Sequence, residues 1–171
     1  MSCFLAGKVS FKSALSERAQ TDLGFRLVQL ATGERLGIQL GLAIVQPIIF
    51  EILGSERALR EDALAFHVTD SPAWNTSDAI VRKYAPEYPE QEEPDGPLRQ
   101  RLQRVERFLC AAVGLPGVHE ITLVLSLGYD ASYEEEIIEA SQFVERAERR
   151  YEDVVDVPNV RFLVRGAGAF G

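Results

Sequence analysis

Residues 119–166 constrain the fold of this chain more than any other stretch. In "HEITLVLSLG", Ile121, Leu123, Leu125 and Leu127 fall on one side, and Thr122, Val124 and Ser126 on the other. Alternation with a period of two is the mark of a strand with unlike faces. "DASYEEEIIEASQFVERAERRYEDVV" follows and reads as a helix. Ser132 and Glu135 have the spacing of a capping box. Glu134, Glu135 and Glu136 would lie in its first turn, where the helix dipole favours carboxylates. Ile137, Ser141, Val144, Glu148 and Tyr151 would share a face, with Ile138 and Ala147 beside it. "VRFLVRG" then reads as a closing strand. Such a run predicts a parallel β–α–β unit with a right-handed crossover.

The N-terminal half reads as richer in helix. "FLAGKVSF" is a short strand. Leu15, Ala19, Leu23, Leu27 and Leu30 then recur at three or four residues, with Ser13 or Ser16 to cap the start and Gly33 to end it. A hairpin through residues 25–40 is the competing reading. Residues 34–53 are apolar nearly all round, and Gly33, Gly37 and Gly41 would line one face of a helix there. Pro47 should kink or interrupt it. Ser55 is a plausible cap for a further helix whose stripe is Leu59, Ala63 and Phe66. "PLRQRLQRVERFLCAAVG" is a helix with Pro97 at its first position, an apolar face of Leu98, Leu102, Val105, Leu109 and Ala112, and Gly114 at its end. The fold class is therefore α/β, or α+β, with a helix-rich N-terminal half and a small sheet that carries the C-terminal parallel unit. At 171 residues, 46% of them hydrophobic and 26% charged, the chain is ordinary globular material for one domain over 1–171. Any seam falls at residues 84–97.

That stretch, "YAPEYPEQEEPDGP", holds four prolines, two tyrosines and five carboxylates, with no basic residue. It belongs to a lopsided charge distribution. Residues 1–85 balance nine basic against nine acidic residues, whereas residues 86–171 hold nine basic and seventeen acidic. The whole formal charge of −8 thus lies in the second half. Such a field opposes direct nucleic-acid binding, which relies on basic groups to neutralise phosphate. It suits a basic protein partner. Arg101, Arg104 and Arg107 recur every three residues but are outweighed by the carboxylates around them, so internal pairing is expected.

Motifs for chemistry are weak. Cys3 and Cys110 make neither a disulfide framework nor a C-x-x-C metal site, and read as reduced thiols. His67 and His119 lack zinc-ligand spacing. His67, Asp70 and Ser71 resemble a triad only in composition; His67 reads as a helix-end residue. "GAGAFG" spells a dinucleotide fingerprint, but no helix follows to hold a pyrophosphate. No cofactor or metal is expected. "MSCFLAGKVSF" has too short an apolar core for a signal peptide, and the longest apolar stretch is broken by Gln39, Gln46, Pro47 and Glu51. A cytoplasmic location, with no membrane contact, is the expectation.

The leading expectation is a protein-binding module rather than an enzyme: an inhibitor or immunity-type protein that covers a basic partner such as a nuclease toxin. Its surface would comprise Tyr84, Glu87, Tyr88, Glu90, Glu92, Glu93 and Asp95, extended by Glu134, Glu135 and Glu136. Proline limits the order that binding must impose, and tyrosines give contact area with few torsions. The alternative is a small enzyme or small-molecule-binding domain, with Tyr129, Asp130 and His67 at the carboxyl end of strand 120–127, where open α/β sheets bind ligands. A third is an oligomer subunit that pairs through the glycine-lined segment 33–53.

Overall fold

The computed structural model describes residues 4–41, 51–54, 63–69, 98–125, 131–152 and 158–166. In chain order these form β1 (Phe4–Phe11), α1 (Glu17–Gly33), β2 (Gly37–Leu40), β3 (Ala63–Thr69), α2 (Leu98–Ala112), β4 (Val118–Leu125), β5 (Tyr133–Glu139), a 3-10 turn (Ala140–Gln142), α3 (Phe143–Glu152) and β6 (Asn159–Arg165). The strands make one sheet in the order β2-β3-β1-β4-β6-β5. Every neighbouring pair is antiparallel except β5 and β6, which run parallel. The chain is an α/β protein.

The sheet has two faces of different character, and the register separates them. Leu5, Val9, Phe66, Val68, Ile121, Leu123, Leu125, Val160, Phe162, Val164 and Ile138 line one face, all of them buried. The helices cover it. Phe66 meets Phe108 of α2 edge to face, with ring centroids 6.1 Å apart, and Phe162 meets Phe143 of α3 likewise at 5.9 Å. α1 adds Leu23, Leu27, Val28 and Ala31, at helical spacing. The start of α1 is capped by Ser16, whose hydroxyl accepts from the Ala19 N–H at 3.1 Å. At its end Arg35 takes a left-handed conformation (φ 58°), and the Leu36 N–H reaches back to the Ala31 carbonyl at 2.8 Å.

The helices expected to end at Gly33 and to start at Pro97, and the strands expected at 4–11, 120–127 and 160–166, correspond to α1, α2, β1, β4 and β6, with β4 described as far as Leu125. Residues 25–40 divide into the last turns of α1 and the strand β2, not a hairpin. Three expectations need correction. Residues 34–53 are not one apolar helix: Gly37–Leu40 is a strand and Gly41 has φ +102°, so the three glycines line no common helical face. Residues 63–69 are a strand, not the end of a helix, because both faces of β3 are buried; Ala63 and Phe66 were therefore compatible with either period. Residues 133–139 are the edge strand β5, not a helical first turn, and α3 begins only at Phe143. The C-terminal parallel β–α–β unit accordingly consists of β5, α3 and β6, whereas β4 and β6 are antiparallel. Residues 42–50, 55–62 and 84–97 lie outside the described residues, as do the expected helices and caps placed on them.

Candidate functional site

The second face of the sheet is polar for a buried surface. Reading across the register, Gln39, His67, Ala6, Val124, Arg161 and Glu135 form one row. Ala65, Lys8, Thr122, Leu163 and Ile137 form the next. His67 is 2% exposed and Thr122 1%. Burial holds the His67 pKa below its usual value, so the ring is kept neutral. Burial also lowers the pKa of Lys8, helped by the nearby Arg161 and opposed by Glu120. Glu120 is in turn gripped by Arg165 at 2.9 Å.

A lysine of lowered pKa beside an arginine has the electrostatics of an amine nucleophile. Here, however, residues 51–54 pack against the face at that point. Ile52 and Leu53 are fully buried, and the Ile52 carbonyl accepts from Arg161 at 2.9 Å. A side chain at Gly54 would place its Cβ 3.2 Å from Lys8 Nζ. Residues 51–54 thus occupy the part of this face beside Lys8 and Arg161.

The open edge of the sheet is different. Among the described residues β5 has a neighbour on one side only. The Asn159 N–H donates to the Ser132 carbonyl at 3.2 Å, which fixes the parity of the ladder. A strand residue directs its N–H and C=O to the same side, so Ser132, Glu134, Glu136 and Ile138 address β6. The backbone groups of Tyr133, Glu135 and Ile137 therefore point away from the sheet. Glu139 follows the same parity: its N–H is taken by the Gln142 side chain at 2.9 Å, which ends the open run. The outward-directed residues also bring exposed apolar side chains. Tyr133 is 39% exposed and Ile137 49%, and they stand two pleats apart on one face.

Glu134, Glu135 and Glu136 of this strand are anchored by arginines. Glu134 and Glu136 both bind Arg150, and Glu136 also binds Arg146 at 3.2 Å. Glu135 binds Arg161, whose guanidinium lies 4.5 Å from the centre of the Tyr133 ring. Glu134 and then Glu136 raise the pKa of Arg150 against the opposing effect of burial. Three of the strand's four carboxylates thus face three guanidiniums, which offset most of its negative charge.

Of the residues expected at a site, the fold brings Glu134, Glu135 and Glu136 together on β5, though on alternating faces. His67 lies inside β3, not at a helix end, and β1 separates it from β4. It therefore stands two interstrand spacings, about 10 Å, from Val124. Tyr84, Glu87, Tyr88, Glu90, Glu92, Glu93, Asp95, Tyr129 and Asp130 lie outside the described residues. Arg107 pairs with Glu34 at 2.7 Å, as expected of an internally matched helix face. Cys110 is exposed on α2, but partial burial of its thiol and the carboxylate of Glu106 raise its pKa and keep it protonated. Sequence reasoning missed Tyr133 and Ile137. The signal was the alternation of Tyr133, Glu135 and Ile137, which a helical reading hides.

Among the described residues no group of three metal-ligating side chains occurs, and no helix is long and apolar enough to cross a membrane. No protein-family model, curated protein or solved structure matches the chain.

Proposed function

We propose that this chain is a protein-binding module that receives an extended segment of a partner along β5. The observation that carries this reading is the open edge itself: outward backbone groups at Tyr133, Glu135 and Ile137 coincide with two exposed apolar side chains. Strand addition of this kind takes its affinity from main-chain hydrogen bonds and its selectivity from alternate side chains. The partner is a basic protein. Its attraction comes from the five carboxylates of residues 84–97, a stretch with no basic residue, since Glu134, Glu135 and Glu136 are matched by arginines. The concrete form is a cytoplasmic inhibitor or immunity-type protein that occludes a basic site without chemistry of its own.

A second copy of the chain is the competing occupant, with Tyr133 opposite Ile137 in an antiparallel pair centred on Glu135. The test begins with affinity capture at low and high salt. Each captured protein is then purified, and its Kd measured against the wild type, Ile137→Lys, and the triple variant Glu90→Lys, Glu92→Lys, Glu93→Lys. The expected result is a basic partner that loses about tenfold or more in affinity with either variant. If no captured protein distinguishes the variants from the wild type, or if the wild type self-associates through β5, the reading fails.

A further inference from the structure

A cleft lies on the opposite side of the sheet from residues 51–54, at the other end of the strand order from β5. α1 passes over β2 and β3 and leaves a cleft of about 350 Å³, a volume that suits a small ligand. Its walls are apolar: Phe25 and Val28 from α1, Leu40 from β2 and Leu64 from β3. Phe25 is 39% exposed, a large apolar side chain left at the surface. Gly24 forms the floor, and a Cβ there would come within 3.0 Å of the Leu40 side chain. Glycine at this position therefore keeps the cleft open.

The polar end of the cleft has a definite sense. It is made by Glu17, Gln20 and Thr21, which share the helix face of Gly24 and Val28. The Thr21 hydroxyl donates to the Glu17 carbonyl at 3.0 Å. The Gln20 amide nitrogen donates to the Leu15 carbonyl at 3.1 Å. These bonds turn the side-chain nitrogen and hydroxyl hydrogen toward the protein's own backbone. What the end offers a ligand is mainly oxygen: the Glu17 carboxylate, the Gln20 carbonyl and the lone pairs of Thr21. The Ala19 N–H at the start of α1 is taken by Ser16, and the Glu17 carboxylate in the first turn offsets the positive end of the helix dipole. An oxygen-rich end on an apolar cleft selects a ligand with a donor head and an apolar body.

We propose that this cleft binds small organic ammonium ions, the aryl or alkyl body lying against Phe25, Leu40 and Leu64 and the ammonium reaching Glu17, Gln20 and Thr21. The site is independent of the β5 edge and stands whether or not that edge binds a partner. The test uses amide NMR spectra of the full chain, titrated with 2-phenylethylammonium and with its near-isostere 3-phenylpropionate. The ammonium should give saturable shifts confined to α1 and the residues around Leu40 and Leu64. The carboxylate should bind about fivefold more weakly or worse, the scale set by an exposed ion pair. Glu17→Gln should remove most of that preference while retaining the apolar contribution. Thr21→Phe, at an exposed position, should fill the cleft and abolish the shifts, with an otherwise unchanged spectrum reporting an intact fold. The proposal is overturned if neither probe saturates in the wild type, if the carboxylate binds as well as the ammonium, or if a folded Thr21→Phe protein binds unchanged.

Discussion

Gly7 shows how one residue is fixed by what crosses it. It lies in β1, at the centre of the sheet, opposite Phe66 on one side and Leu123 on the other. A Cβ at this position would sit 2.6 Å from the Phe66 ring and 2.8 Å from the Thr122 carbonyl. The carbonyl belongs to the ladder and cannot yield. Gly7→Ala should therefore destabilise the protein by about 1–3 kcal/mol, the usual cost of overpacking, seen as a lower urea midpoint at unchanged slope. His67 makes a prediction of opposite origin. Its folded pKa lies below the ordinary value of 6.5, so the unfolded chain takes up the proton first as pH falls. The stability that neutral His67 allows is fully present above the unfolded pKa and declines below it. The advantage of wild type over His67→Gln should thus shrink between about pH 7.5 and about pH 5.5 in parallel urea titrations. A constant difference would mean that the ring does not titrate with unfolding.

At the scale of elements, the readable ones declared a single period. Leu102, Val105, Leu109 and Ala112 of α2 and the alternating residues of β4 allow no second interpretation, and both elements lie where the pattern places them. β5 was illegible because its local chemistry favours helix: three consecutive glutamates follow a serine at cap spacing. The deciding contacts are remote in sequence. Arg150 of α3 and Arg161 of β6 hold the glutamates, and Ile138 packs into the core beside Val164. β3 was obscured differently, since burial on both faces removes the alternation that marks a strand. The candidate edge shared the fate of β5: its glutamates were legible as a group, but their alternation between faces was not. Adjacent isoleucines test the strand directly. Ile138 is 1% exposed and Ile137 49%. Ile138→Ala should cost about 2–5 kcal/mol, whereas Ile137→Ala should stay within about 0.5 kcal/mol. A helix through this segment, with Ile137 on its buried stripe, would reverse that order.

At the scale of the molecule, the strand order entangles the two halves of the chain. β1 comes first in sequence yet lies inside the sheet, between β3 and β4. Its seven register pairs with β4, from Leu5↔Leu125 to Phe11↔Val118, join material from either side of the acidic segment 84–97. Other contacts bridge the same divide: Arg107 of α2 holds Glu34 beyond the end of α1, Arg161 of β6 holds the Ile52 carbonyl, and Phe66 of β3 packs on Phe108 of α2. The charge asymmetry of the sequence marks that segment as a seam, but the sheet runs across it. Cutting the chain there separates no layer from another; it leaves the N-terminal piece with β1 to β3 and the C-terminal piece with β4 to β6, each exposing an edge that only the other fills. A protease site inserted between Glu93 and Pro94, cleaved after folding, should therefore yield two fragments that co-elute in size-exclusion chromatography at the mass of the intact chain. They should part only in denaturant, in one transition, because loss of the β1–β4 pairing strands apolar surface on both pieces at once. Fragments that drift apart without denaturant would instead make residues 84–97 a true boundary between separately folded halves.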